Sequence, residues 1–373
     1  MKTQKIIITS LVIISLILSC GTDDGGSKTN FSDLFMNTSE NIIQPQYNAF
    51  NDQISSLKQA TETFTSTVNI ANLSALQSKF EETYKMWQHT SLYEFGPAVD
   101  TDILLKTSIN SYPTNSTLIE DNISSGTYNL DGANNIFAAG LPALEYLIYG
   151  IDKNNNTIVS QFSTETNFQN RKQYALDLVN KMAEKTALVS QKWVAYHNSY
   201  IENTGTGNSS SLTLLFNAYL KDYEETKRNK FALPAGYATE YSIPIAKDEN
   251  KVEGLYSGIS FELITESIKA HKAFFKGIGY NGVDGIGFED KLIELKAVST
   301  VVDGDLSPAV SNQIEEILTS LPTFSNTLKE EIVNNNSALA TLNTKLQKLV
   351  PMIKIDMKSY FGVPVTSQDT DGD

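Results

Sequence analysis

The chain has 373 residues, 40% hydrophobic and 19% charged, a composition that supports a sizeable folded core and excludes a solvated disordered chain. Its formal charge of −14 excludes nucleic acid and anionic lipid surfaces as electrostatic partners, because both need a basic face. The single cysteine excludes a disulfide framework.

Lys2 and Lys5 precede an apolar run from Ile6 to Leu18, which ends at Ser19-Cys20. The run is too short and wrongly flanked for a spanning helix and reads as an export signal over residues 1–19. It resembles a bacterial lipoprotein signal, which implies cleavage before Cys20 and acylation there; more than one lipid chain gives stable anchoring. Leu18 departs mildly from the usual residue at its position. Residues 20–30 are rich in Gly and polar side chains and form a flexible tether. By analogy with lipoprotein sorting, Gly21 and the pair Asp23-Asp24 imply outer-membrane placement, on the periplasmic or the surface face. The membrane, reached through acylated Cys20, is the first expected partner.

The mature part shows helical periodicity and no sustained alternation bounded by hairpin turns, so an all-α fold is expected. Asn72 or Ser74 caps a helix carrying Leu76, Phe80, Tyr84 and Trp87 to about Tyr93, and Gly96-Pro97 ends it. A loop-rich stretch follows, then a short apolar segment from Ile136 to Tyr149. A long amphipathic pattern covers 167–203, and 204–210 is a Gly/Ser/Asn break. This break divides an N-terminal helical lobe (31–204) from a C-terminal one (205–365), with an acidic tail over 366–373. In the second lobe, helices are expected near 211–228, 251–275, 287–301, 307–320 and 325–360. The glycines of 279–287 lack a preceding strand and a following Gly-Lys-Ser/Thr, so they form an interhelical loop rather than a phosphate loop. Asp369-Thr370-Asp371-Gly372-Asp373 opens like a calcium loop but stops before the later ligands.

Glu145 stands out, because Gly140-Leu141-Pro142-Ala143-Leu144-Glu145-Tyr146-Leu147-Ile148-Tyr149-Gly150 is otherwise apolar on every helical face. A carboxylate buried there needs cations or donors around it, or a raised pKa that keeps it protonated. Such groups serve catalysis or binding, or tie helices together.

The segment Gly140–Leu147 resembles the Gly-x-His-x-x-Glu signature of the imelysin family, a group carrying a metallopeptidase label and related to periplasmic iron-uptake proteins. Further landmarks follow in family order: Trp87, Tyr93-Glu94-Phe95-Gly96-Pro97, Ile109-Asn110-Ser111-Tyr112-Pro113, Lys230 with Pro234-Ala235-Gly236, Val252 to Ser260, and Asp371-Gly372-Asp373. The resemblance implies two helical-bundle lobes related as an old duplication, with a site in the cleft between them. No internal repeat is visible in this sequence.

Pro142 stands where the family has histidine. A His three residues before a Glu shares its helix face and can share a metal ion, whereas proline has no ligand atom yet suits a helix's first turn. The metal centre proposed for relatives is therefore expected to be missing. Of the three histidines, His89, His197 and His271, only His89 is placed near the cleft by the resemblance, with Glu94 about a turn onward. A carboxylate-rich site of Glu94, Glu145 and water would hold a hard cation weakly. Glu253, Ser257 and Ser260 share a helical face by spacing, and the resemblance points them at the same cleft. Without an adjacent His or Lys such a serine has no activating base, and helix–helix hydrogen bonding is the expected role. Arg228, in Lys227-Arg228-Asn229-Lys230, is a candidate counter-ion for Glu145.

These readings give an imelysin-like envelope lipoprotein that binds a ligand or partner, with iron-uptake components or haem as candidates, and that is not a competent protease. The alternatives are an envelope metallopeptidase using Glu145 and a purely structural surface lipoprotein.

Overall fold

The computed structural model describes residues 29–366 apart from residue 206. The signal, Cys20, most of the tether and the acidic tail beyond residue 366 lie outside the described residues.

The fold is all-α. The first half contains α1 (Ser32–Asn37), α2 (Gln44–Ser66), α3 (Ile70–Thr90), α4 (Leu105–Ile109), α5 (Ser116–Ser125), α6 (Gly140–Tyr149), α7 (Asn155–Gln161) and α8 (Phe168–Glu202). The second contains α9 (Ser211–Glu225), α10 (Leu233–Ala235), α11 (Ser260–Lys276), α12 (Phe288–Glu294), α13 (Leu306–Ser320), α14 (Leu328–Val333), α15 (Ala338–Pro351) and α16 (Lys358–Phe361). Wider π-helical turns at Thr38–Ile43, Thr226–Ala232 and Met352–Met357 continue their neighbours. Among the described residues the strands are Thr239–Glu240 and Ile243–Pro244, a short antiparallel hairpin with no counterpart in the sequence reading.

In α2, Tyr47, Phe50, Ile54, Leu57, Thr61 and Phe64 recur at three- and four-residue spacing and are buried, so one stripe faces the core. Each large apolar side chain so placed contributes roughly 1.5–3 kcal/mol. This stripe packs against α3 and α8, and α6 lies across both of those helices. Trp193 of α8 is wrapped by Tyr47, Phe95 and Tyr200 at centroid distances of 5.8, 5.5 and 5.6 Å. In the second half α11 and α15 pack on α13, and the π-turn after α9 packs on α11 and α15. The halves meet where α11 lies on α3 and α9 lies on the 3-10 turn Ser91–Tyr93.

Several expected boundaries move. The cap of α3 is Asn69, whose side chain accepts from the amide of Asn72, rather than Asn72 or Ser74. The helix expected near 251 begins at Ser260, because Gly254 (φ +71°) and Gly258 (φ +83°) turn the chain through left-handed conformations that no right-handed helix admits. Residues 295–301 leave the helix at α12's end, and 325–360 is divided among α14, α15, a π-turn and α16. The glycine-rich 279–287 segment is the connection between α11 and α12.

Candidate functional site

Gly140 opens α6 with φ +72°, at a backbone crossing so close that an added Cβ would stand 2.3 Å from the carbonyl oxygen of Ile109. Two residues on, Pro142 occupies the helix's first turn, where no N–H is required, and its carbonyl accepts from Thr114 Oγ1 at 3.2 Å. One turn later Glu145 projects toward the second half and is 1% exposed. Its Oε1 accepts from the amide of Ser257 at 2.8 Å and from Ser257 Oγ at 2.5 Å. Burial lifts this carboxyl to about 7, against the pull of the two Ser257 bonds and the Tyr256 amide, and the charge of Glu253 pushes the same way as burial.

Glu253 lies at the other end of the same loop and is 2% exposed. Its carboxylate receives Lys230 Nζ at 2.8 Å, Asn110 Nδ2 at 2.7 Å and Gln88 Nε2 at 3.0 Å. Lys230 also donates to Gln88 Oε1, and Tyr84 donates to Asn110 Oδ1 at 2.9 Å. Ser260 Oγ donates back to the Glu253 carbonyl at 2.5 Å. The loop 253–260 is thus fixed to the first half by two carboxylates, one neutralised by a lysine and the other raised to about 7 by burial against the pull of its hydroxyl and amide donors.

The grouping inferred from sequence is partly redrawn. Glu145, Glu253, Ser257 and Ser260 converge, but through a loop rather than one helical face. Ser257, expected to bond across a helix crossing without a base beside it, gives its hydroxyl proton to Glu145. Arg228 is not the counter-ion of Glu145: it donates to the carbonyl of Thr239 at 3.2 Å, and the charge that bears on Glu145 is that of Glu253. The π-turn Thr226–Ala232 changes the register, so Lys227 and Lys230 are buried and Arg228 is only half-buried. Glu94 stands apart from Glu145, paired with Lys221 at 2.8 Å and Lys106 at 3.8 Å on a separate interlobe cavity of about 420 Å³. His89 is apart as well; its Nε2 lies 2.9 Å from Glu266, whose carboxyl it holds down at about 2, and it lines a small cavity with Tyr93 and Phe274. His271 is fully buried, with Nδ1 2.8 Å from the Ser267 carbonyl and burial pushing its pKa down. Sequence reading missed Gln88, Asn110 and the role of Lys230; each sits in or beside a family landmark, which was the available signal.

A metal ion does not fit the residues gathered at Glu145. One carboxylate is present, its Oε1 is taken by two donors of Ser257, and Glu253 is already neutralised by Lys230. Among the described residues no group of three or more His, Cys, Asp or Glu side chains could hold one.

The sequence matches the imelysin family over residues 43–351. The chain belongs to the imelysin family. Two solved structures share this imelysin fold. A candidate iron-regulated protein A precursor from Parabacteroides distasonis superposes with a TM-score of 0.71 at 15% identity, covering 91% of this chain and 97% of its own. An imelysin-like protein from Psychrobacter arcticum superposes with a TM-score of 0.64 at 15% identity, covering 90% of this chain and 96% of its own. No curated protein matches the chain. In this imelysin, α6 carries Glu145, whose carboxylate reaches the loop that leads into α11.

Proposed function

We propose that this imelysin is a ligand-binding protein of the cell envelope, held to the outer membrane through acylated Cys20, linked to iron uptake, and not a protease. One observation carries the reading: Glu145 is a dry carboxyl, poised near 7, that joins the two halves through Ser257, whose neighbour Tyr256 lines an interlobe cavity. Stability alone does not require such a group, since an apolar side chain would fill the space without a desolvation cost. The iron link draws on the Parabacteroides relative, described as iron-regulated.

Proteolysis by a metal-bound water needs three protein ligands around an open position, and the donor set at Glu145 supplies one carboxylate. Iron is therefore expected to arrive inside an organic complex, with haem as the first candidate. Calorimetric titration of the purified protein with ferrous, ferric, zinc and calcium ions and with haem tests this. Haem binding that is lost in Glu145→Gln supports the reading; no heat from any of the five removes the iron link. Cleavage of casein that disappears in Glu145→Ala would replace the binding role with a catalytic one.

A further inference from the structure

The largest of the interlobe cavities described, about 620 Å³, adjoins Tyr256 and runs beneath Lys153, Lys329 and the exposed Val333. Its charge is the reverse of the molecule's. Among the described residues neither Lys153 nor Lys329 forms an ion pair; Lys329 Nζ donates to Asn250 Oδ1 at 3.0 Å, which leaves two of its three protons for a further acceptor. Lys153 Nζ hangs over the loop, 3.2 Å from where a Cβ on Gly258 would stand. Glu330, the carboxylate lining this cavity, accepts at Oε2 from the amide and hydroxyl of Thr327 at 2.9 Å each, and these bonds, with a smaller contribution from the charge of Lys153, hold its pKa below the ordinary value. The phenolic hydroxyl of Tyr256 lies on the same wall, beside Ser116, and adds a third candidate donor.

Ile151, Leu255, Val333 and the ring of Tyr256 supply the apolar part of the lining, interspersed with hydroxyl and amide side chains such as Thr114 and Asn334. The ring of Tyr256 is held edge-on by Tyr146 at 5.2 Å, and the rim carries Ile151, 77% exposed, and Val333, 52% exposed. Large apolar side chains left open in a cavity that also carries two ammonium groups favour a ligand with both an anionic group and an apolar body. A bare anion would leave the rim in water, and a neutral apolar molecule would leave the lysines unmatched.

We infer that this cavity binds a small organic carboxylate with an aromatic or aliphatic body, its carboxylate bridging Lys153 and Lys329 and accepting from Tyr256. The inference rests on the interlobe region being the ligand site and names the class of ligand it takes. Ligand-observed NMR titration of the purified full-length protein, metal-free, tests it with three probes: salicylate, inorganic phosphate and benzyl alcohol. Salicylate is expected to bind most tightly, and the double variant Lys153→Met/Lys329→Met to bind it about tenfold more weakly or worse, as expected for the loss of charge-assisted hydrogen bonds. Lys348→Met, on an exposed position of α15, serves as the control and leaves salicylate affinity unchanged. Benzyl alcohol or phosphate binding as tightly as salicylate, or a double variant with unchanged affinity, overturns the proposal. The cavity lysines project from the surface of a formed fold, so both variants are expected to keep the wild-type circular dichroism spectrum. Haem titration failing while salicylate binds removes the iron link alone; the opposite pattern removes this ligand class alone.

Discussion

Glu145 sets a pH dependence of known sign. Its carboxyl is raised from the ordinary 4.5 to about 7 by burial, so in the folded protein it resists ionisation. The favourable state is fully present below 4.5, is lost as pH rises toward 7, and is constant above, because only the unfolded chain ionises freely in that window. A shift of this size corresponds to roughly 3 kcal/mol. Urea unfolding of wild type and Glu145→Gln should therefore give stabilities that diverge by about that amount between pH 4.5 and 8, the wild type losing ground; a difference that stays flat with pH contradicts a dry Glu145. Ser257→Ala removes a donor that favours the ionised form and should move the Glu145 titration above 7, visible in its side-chain carbon chemical shift. Lys230 and Glu253 form an interior ion pair at 2.8 Å. Lys230→Met leaves a buried carboxylate alone and should cost about 3–5 kcal/mol, much of which Glu253→Gln in the same chain recovers. That Glu145 would be buried was legible from the apolar residues around it. That Lys230 rather than Arg228 enters the interior was not, because a π-turn shifts the register and no spacing rule announces one.

At the scale of elements, the long helices were legible because their apolar stripes repeat over many turns: α8 begins and ends within a residue of the expected 167–203. Short elements followed local glycine chemistry instead. The loop 253–260 shows helical spacing of its polar residues, yet two left-handed glycines make that spacing irrelevant. Gly140 shows the same dependence in the α6 entry, where φ is +72° and the missing side chain lets the segment lie against the 108–109 backbone. Gly140→Ala combines a left-handed residue with a backbone collision and should cost more than about 2 kcal/mol. Gly362→Ala, at φ +64° with open space around it, carries only the conformational part, about 1 kcal/mol. Thermal or urea unfolding of the two variants separates the terms; equal costs would mean that the close approach at Gly140 relaxes without penalty.

For the whole molecule, the two halves are coupled by buried polar bonds rather than by a continuous apolar seam alone. Glu145 holds Ser257, Glu253 holds Asn110 and Gln88, and Ser91 donates to the buried Asp222 at 2.8 Å. Breaking these bonds in water-poor surroundings leaves buried polar groups without partners on both sides, so separating the halves costs far more than the bonds contribute in net stability. The halves should unfold together. Both tryptophans, Trp87 and Trp193, lie in the first half, so their fluorescence reports on that half, while far-ultraviolet circular dichroism reports on all helices. In wild type the two urea transitions should coincide within error. Lys230→Met, which leaves the Glu253 anchor without its counter-ion, should pull them apart, with the dichroism midpoint at lower urea than the fluorescence midpoint. Separate transitions in the wild type would mean that the interlobe network is too weak to couple the halves, and Glu145 would then bridge two independently stable bodies.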